Sequence, residues 1–285
     1  MKNGTESQLN ISPTMLESAL NDNLFTQKSQ ALINAARDGN LISFVELMHK
    51  IWPTLPLLAS NDEIETLLGD ILWQAGSKGD LSIARWLVAE EEFDFTAFNF
   101  KEMQADQFLE AASYGEKSFN HRNFAQFLWE YKKNPEIDED MRASALRSAA
   151  KGDARVLAAS LMLPPFKNPG KEEFIFEALI NAAENGHIHI VRMLLSGEKY
   201  LQYRFDAEDI AKAIIHAWGQ KNNQIELLML LLYFSSQKKM PLKDIETEIR
   251  NCNENAEEMI EALDMLAIQS IPMIEAEQQK KLRKK

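Results

Sequence analysis

Residues 178–195 read ALINAAENGHIHIVRMLL, with apolar positions at helical spacing on both sides of a break. Leu179, Ala182 and Ala183 recur at i, i+3 and i+4, Asn185-Gly186 interrupts, and Ile190, Val191, Leu194 and Leu195 resume the period. The pattern predicts two short amphipathic helices joined by a tight turn. Aligned on the turn glycine, further copies stand at Gly39, Gly79, Gly115, Gly152 and, with lysine in the turn, Lys221, giving successive spacings of 40, 36, 37, 34 and 35 residues. Seven positions before the turn stand Leu32, Leu72, Phe108, Ala145, Leu179 and Ile214; four before it stand Ala35, Ala75, Ala111, Ser148, Ala182 and Ala217. A large residue fills the space between helices and a small one lets the next helix approach, so the two columns are those of stacked helix pairs.

Between the copies the chain carries start and stop signals. Ser12-Pro13 opens a helix whose stripe of Met15, Leu16, Ala19, Leu20 and Leu24 predicts an N-terminal cap. Trp52-Pro53 ends the first pair, and Asn61 is placed to cap the next helix, with Ile64, Leu67, Leu68, Ile71, Leu72 and Ala75 on its inner face and Trp86 and Leu87 facing inward from its partner. Asn99 with Glu102 forms a capping-box pattern; Asp138 is a second cap, and Asp206 with Asp209 an acidic box. After Gly115 the expected apolar pair arrives only at Phe124 and Ala125, so about five residues are inserted within 116–123, on the surface. The nearly all-apolar run 227–234 calls for cover from 241–285, where Ile245, Ile249, Met259, Ile260, Leu263 and Leu266 supply the stripes. The expected fold is all-α: a solenoid of about six helix-turn-helix repeats, with a polar lead and capping helix in 1–28, repeats in 29–240 and a helical cap with a basic tail in 241–285.

The run A-L-x-x-A-A-x-x-G-H-x-x-I-V-x-x-L-L at 178–195, including His187 after the turn glycine, resembles the ankyrin repeat, and the other copies resemble it more loosely over about 29–234. The family's T-P-L-H opening is missing, its histidine column being taken by Ile33, Trp73, Leu109, Leu146, Ile180 and Ile215. The resemblance implies degenerate ankyrin-like repeats with longer first helices and a scaffold that binds a partner protein. Degenerate repeats, long connections and a charged tail also resemble ankyrin-bearing effectors exported by intracellular bacteria.

Five residues before each turn stand Asn34, Gln74, Glu110, Arg147, Asn181 and His216, all polar. In a stacked array they would line one face, which the resemblance identifies as the concave, partner-binding side. Arg147, with its planar fork of donors, is the expected anchor, and pairing with Glu110 is the competing reading. The segment 93–100 holds Phe93, Phe95, Phe98 and Phe100, either a plug on the core or an exposed aromatic finger, so Phe93 and Phe95 are further candidates for partner contact.

Charge and chemistry narrow the function. The chain carries a net charge of −12, yet residues 280–285 hold five cations, so the remainder is more acidic still. Such a body repels phosphate backbones, which argues against nucleic acid as a partner. Residues 1–10 lack the apolar core of a signal peptide, and the longest apolar run has eight residues against the roughly 20 a spanning helix needs. The single Cys252 suits a reducing compartment. His187, His189 and Glu184 lack metal-ligand spacing, and no nucleotide or catalytic motif occurs, so no metal, cofactor or catalytic residue is assigned. The expectation is a monomeric, non-catalytic scaffold in the cytoplasm, or in a host cytoplasm if exported. The alternatives are an enzyme or enzyme-activator with its site in the inserted connections, and a membrane-surface adaptor using the basic tail.

Overall fold

The computed structural model describes residues 13–78, 81–89, 95, 98, 100–115, 118–130, 137–163, 172–218, 224–253 and 256–268, with side chains from residue 23 onward except at 100 and 172. Ser12, Phe93, Asn99, Pro169-Gly170, Lys221 and the basic tail lie outside them. Among the described residues the structure is all-helical, without strand. The chain divides into two compact units, Met1–Gln107 and Phe108–Lys285.

The first unit opens with α1 (Pro13–Asp38), followed by α2 (Leu41–Ile51), a 3-10 segment (Trp52–Leu57), α3 (Asn61–Ser77) and α4 (Ser82–Ala89). α1 packs on α2 and α3, and α4 on α2 and α3. No proline or glycine interrupts the sequence between Pro13 and Gly39, so the expected capping helix and first repeat helix are one, and the boundary expected at 28/29 falls inside it. All six apolar residues expected on the inner face of α3 are buried. The cap of α3 is Ser60, not Asn61: Ser60 and Glu63 form a reciprocal box, which places Asn61 at the first helical position. Trp86 is half-buried, its ring edge-on to Phe44 at 5.7 Å between centroids, while Leu87 is fully buried.

Phe95 is only 3% exposed, and its ring packs edge-on to Trp52 at 5.1 Å, with Phe98 on the same indole at 5.7 Å. This corrects the reading of Phe95 as a partner contact: Trp52 offers an aromatic face at the end of α2, and burying a phenylalanine against it stabilises by about 1.5–3 kcal/mol.

α5 (Phe100–Tyr114) carries the chain into the second unit, which continues with α6 (Phe119–Glu130), α7 (Glu139–Lys151), α8 (Arg155–Leu161), α9 (Glu172–Glu184), α10 (Ile188–Ser196), the short α11 (Glu198–Leu201), α12 (Ala207–Ala217), α13 (Gln224–Gln237), α14 (Leu242–Cys252) and α15 (256–268). Their contacts form two rows. In one, α7 packs on α9, α9 on α12 and α12 on α14; in the other, α6 packs on α8, α8 on α10 and α10 on α13. The rows also touch each other, α7 on α8, α9 on α10 and α12 on α13. The large column Leu32, Leu72, Phe108, Ala145, Leu179 and Ile214 is fully buried, as are Ile245, Ile249, Met259 and Leu263 of the C-terminal helices. In the small column Ala75, Ala111, Ser148, Ala182 and Ala217 are buried, whereas Ala35 is half-exposed, its neighbour Ala36 taking the buried place.

The expected caps Asp138 and Asp206 accept from the backbone N–H groups of Met141 and Asp209. After Gly115, Arg122 Nε donates to the Gly115 carbonyl at 2.8 Å, and Phe124 and Ala125 resume the core. Arg142, 4% exposed, donates from Nε to the Leu161 carbonyl at 2.5 Å and lies 5.5 Å from the Trp129 ring; burial pushes its pKa down to about 10 despite Glu139 nearby. It therefore satisfies a carbonyl at the end of α8 that the helix itself cannot.

The fourth turn lies one residue beyond its glycine. Asp153, at φ 52°, holds the left-handed position that Gly39 and Gly186 hold at 74° and 71°. The Ala154 N–H donates to the Ala149 carbonyl at 2.9 Å, as His187 does to Ala182 at 2.8 Å. Ser148, not Arg147, is therefore the counterpart of Asn181. Aspartate tolerates the left-handed region better than most residues, and Arg155 Nε and Nη2 secure its carboxylate at 3.0 and 2.9 Å.

Candidate functional site

Three of the six polar residues read from the sequence, Arg147, Asn181 and His216, line one open groove of about 540 Å³ in the second unit. α7 supplies Arg147, Ser148 and Lys151; α9 supplies Phe176, Glu177, Ile180, Asn181 and Glu184; α12 supplies Lys212 and His216, and Ser113 closes one side from α5. The groove exists because α9 packs between α7 and α12, with Leu179, Ala182 and Ala183 turned into the core. One residue off that buried stripe, Ile180 and Asn181 face outward.

The charged walls are held in place. Arg147 Nη1 donates to Glu177 Oε2 at 2.7 Å, and its guanidinium lies 5.1 Å from the Phe174 ring. Lys212 Nζ donates to Glu208 at 2.5 Å and lies 5.3 Å from the Phe176 ring; that carboxylate holds the ammonium above its ordinary pKa range. The partner of Arg147 is thus Glu177 on the next helix rather than Glu110. Glu110 is exposed on α5, where its charge pulls the His121 pKa up against a larger lowering by burial. Among the described residues, the Asn181 and His216 side chains make no hydrogen bond, and Arg147 engages only Glu177 and Phe174.

In the first unit, Asn34 is exposed on α1 and accepts from Gln30 at 3.0 Å, while Gln74 on α3 accepts from Arg37 of α1 at 3.2 Å. The first contact lies within α1 and the second ties α1 to α3.

The groove residues missed in the sequence lie one helical turn from the row: Lys151 four after Arg147, Glu177 four before Asn181, Glu184 three after it, and Lys212 four before His216. Residues three or four apart share a helix face, and that spacing was the available signal. Chemically the groove offers guanidinium, ammonium and amide donors, two carboxylates, and an apolar strip of Phe176 and Ile180. Among the described residues no group of three His, Cys, Asp or Glu is placed to hold a metal ion, and no helix is long and apolar enough to cross a membrane. The chain matches no family model and no curated protein, so the use of the groove is argued from its residues.

Proposed function

We propose that the protein is a non-catalytic scaffold of degenerate ankyrin-like helical repeats that binds a partner protein in the groove between α7, α9 and α12. The observation that carries this reading is the groove itself: Arg147, Asn181 and His216 share it with an apolar strip. Polar groups that fix orientation beside apolar area are the ingredients of a recognition surface. The two helix rows support the repeat reading, since stacking pairs in this way leaves one helix face open along the array. On this account the protein is a monomer working in the cytoplasm, or in a host cytoplasm as an exported effector.

A photo-crosslinking residue in place of Asn181 tests the proposal. It should capture a discrete partner that the same residue in place of Leu57, exposed in the other unit, does not. Equal capture from both positions, or none from Asn181, would remove the groove as the binding surface.

A further inference from the structure

Resting on that reading, we infer that the groove takes a proline-rich segment of its partner in the polyproline II conformation, laid across α7, α9 and α12 with one backbone carbonyl per turn on Ser148, Asn181 and His216. These three stand on successive helices of one row, and all line the groove. Among the described residues none of their side chains makes a hydrogen bond. Ser148 is only 7% exposed, so its hydroxyl is left to find a partner in the groove. Each of the three can donate: a hydroxyl, an amide, and an imidazole that carries an N–H in either tautomer. Arg147, next to Ser148, spends Nη1 on Glu177 and keeps Nε and Nη2 as further donors.

Spacing selects the conformation. Packed helices lie about 8–10 Å apart, which sets the step of the row. A polyproline II helix has three residues per turn and rises about 3.1 Å per residue, so carbonyls on one side of it recur every ~9.3 Å. A β-strand covers that distance in about three residues but alternates, which turns its third carbonyl away from the row, and an α-helix spends its carbonyls on its own N–H groups. Proline sets the required φ and has no N–H, so the segment is an acceptor opposite a row of donors. Charge points to a neutral ligand: Arg147 is paired with Glu177 and Lys212 with Glu208, and Lys151 with Glu184 brings the cations and carboxylates to equal numbers. Ile180, beside Asn181, and Phe176, one turn before it, are half-buried and offer apolar area to pyrrolidine rings.

The test uses the full chain, the δ1 methyl resonance of Ile180 as reporter, and three capped peptides: nonaproline, triproline and a nonapeptide of glycine and serine. Nonaproline, three turns long, should shift the resonance, and triproline and the flexible glycine–serine peptide should bind at least about tenfold more weakly. Raising the salt from about 0.05 to about 0.5 M should change the nonaproline affinity by less than about twofold, since no ion pair is made. Asn181→Leu should weaken nonaproline by about five- to tenfold. Ser148→Ala removes one oxygen and no internal hydrogen bond, so it should weaken nonaproline by about threefold or more without lowering the thermal midpoint, which guards against a folding defect in the first variant. No shift with nonaproline, equal binding of either control peptide, loss of affinity at high salt, or parent-like affinity in either variant would overturn the inference. The groove reading itself stands or falls separately, on the crosslink from Asn181.

Discussion

Two regions competed as binding surfaces, and they behave in opposite ways. The segment around Phe95 and Phe98 is the more conspicuous, with phenylalanines in close succession, yet Phe95 is buried edge-on against Trp52. The face of α9 bearing Ile180 and Asn181 is unremarkable in composition and stays open between α7 and α12. Large aromatic area is withdrawn from water wherever the fold offers a surface for it, whereas a half-apolar helix face stays accessible only where neighbouring helices leave room. Residue type alone does not separate plug from finger; the neighbour, Trp52 in one case and open groove in the other, does.

That comparison breaks first at Phe95. Phe95→Ala should lower the unfolding free energy by about 3–5 kcal/mol, measured by denaturant titration, and leave partner affinity of the folded protein unchanged. A stable Phe95→Ala variant that loses its partner would reverse the roles of the two regions. Arg142→Ala comes next: it strips the Leu161 carbonyl of its donor and removes a buried stem beside Trp129, a loss of about 2 kcal/mol in the same titration.

The corrected fourth turn gives a smaller effect. A branched residue at φ 52° is strained, so Asp153→Val should cost about 1–2 kcal/mol, while Asp153→Gly should stay within about 0.5 kcal/mol of the parent chain. Equal cost for both would mean that the carboxylate and its hold on Arg155, not the backbone, maintain the turn. The smallest effect belongs to His187, half-buried after the fifth turn. Burial pushes its pKa down, outweighing the upward pull of Asp153. The folded state then binds a proton less readily than the unfolded chain, so stability is full above the unfolded value of about 6.5 and falls as pH drops through the window beneath it. Melting the parent chain and His187→Gln at about pH 7.5 and about pH 5.5 should show the acid-side loss reduced in the variant.

Much of the helical frame was legible because it rests on local periodicity. The large column at Leu32, Leu72, Phe108, Leu179 and Ile214, the caps Asp138 and Asp206, and the resumption at Phe124 after the insertion all follow from short-range patterns. The register of the fourth copy does not follow from its glycine, because Asp153 rather than Gly152 occupies the left-handed position. Ser60 and Asn61 are both good caps, and only the reach of Glu63 decides between them. The pairing of Arg147 with Glu177 joins residues 30 apart on different helices, and no local pattern ranks it above Glu110. For the candidate site, the row placed Arg147, Asn181 and His216 on one face, but the depth of the groove depends on how α7 and α12 flank α9, which is a tertiary property.

The central claim is that this groove is where the partner binds, and affinity measured on the crosslinked partner tests it most directly. By isothermal titration, Arg147→Ala should weaken binding by about 2 kcal/mol or more, with Asn181→Ala and His216→Ala weakening it by smaller amounts. Arg147 is 36% exposed and its ion pair with Glu177 is worth about 0–1 kcal/mol, so its loss should barely move the thermal midpoint. Parent-like affinity in all three variants, with each of them folded, would contradict the account.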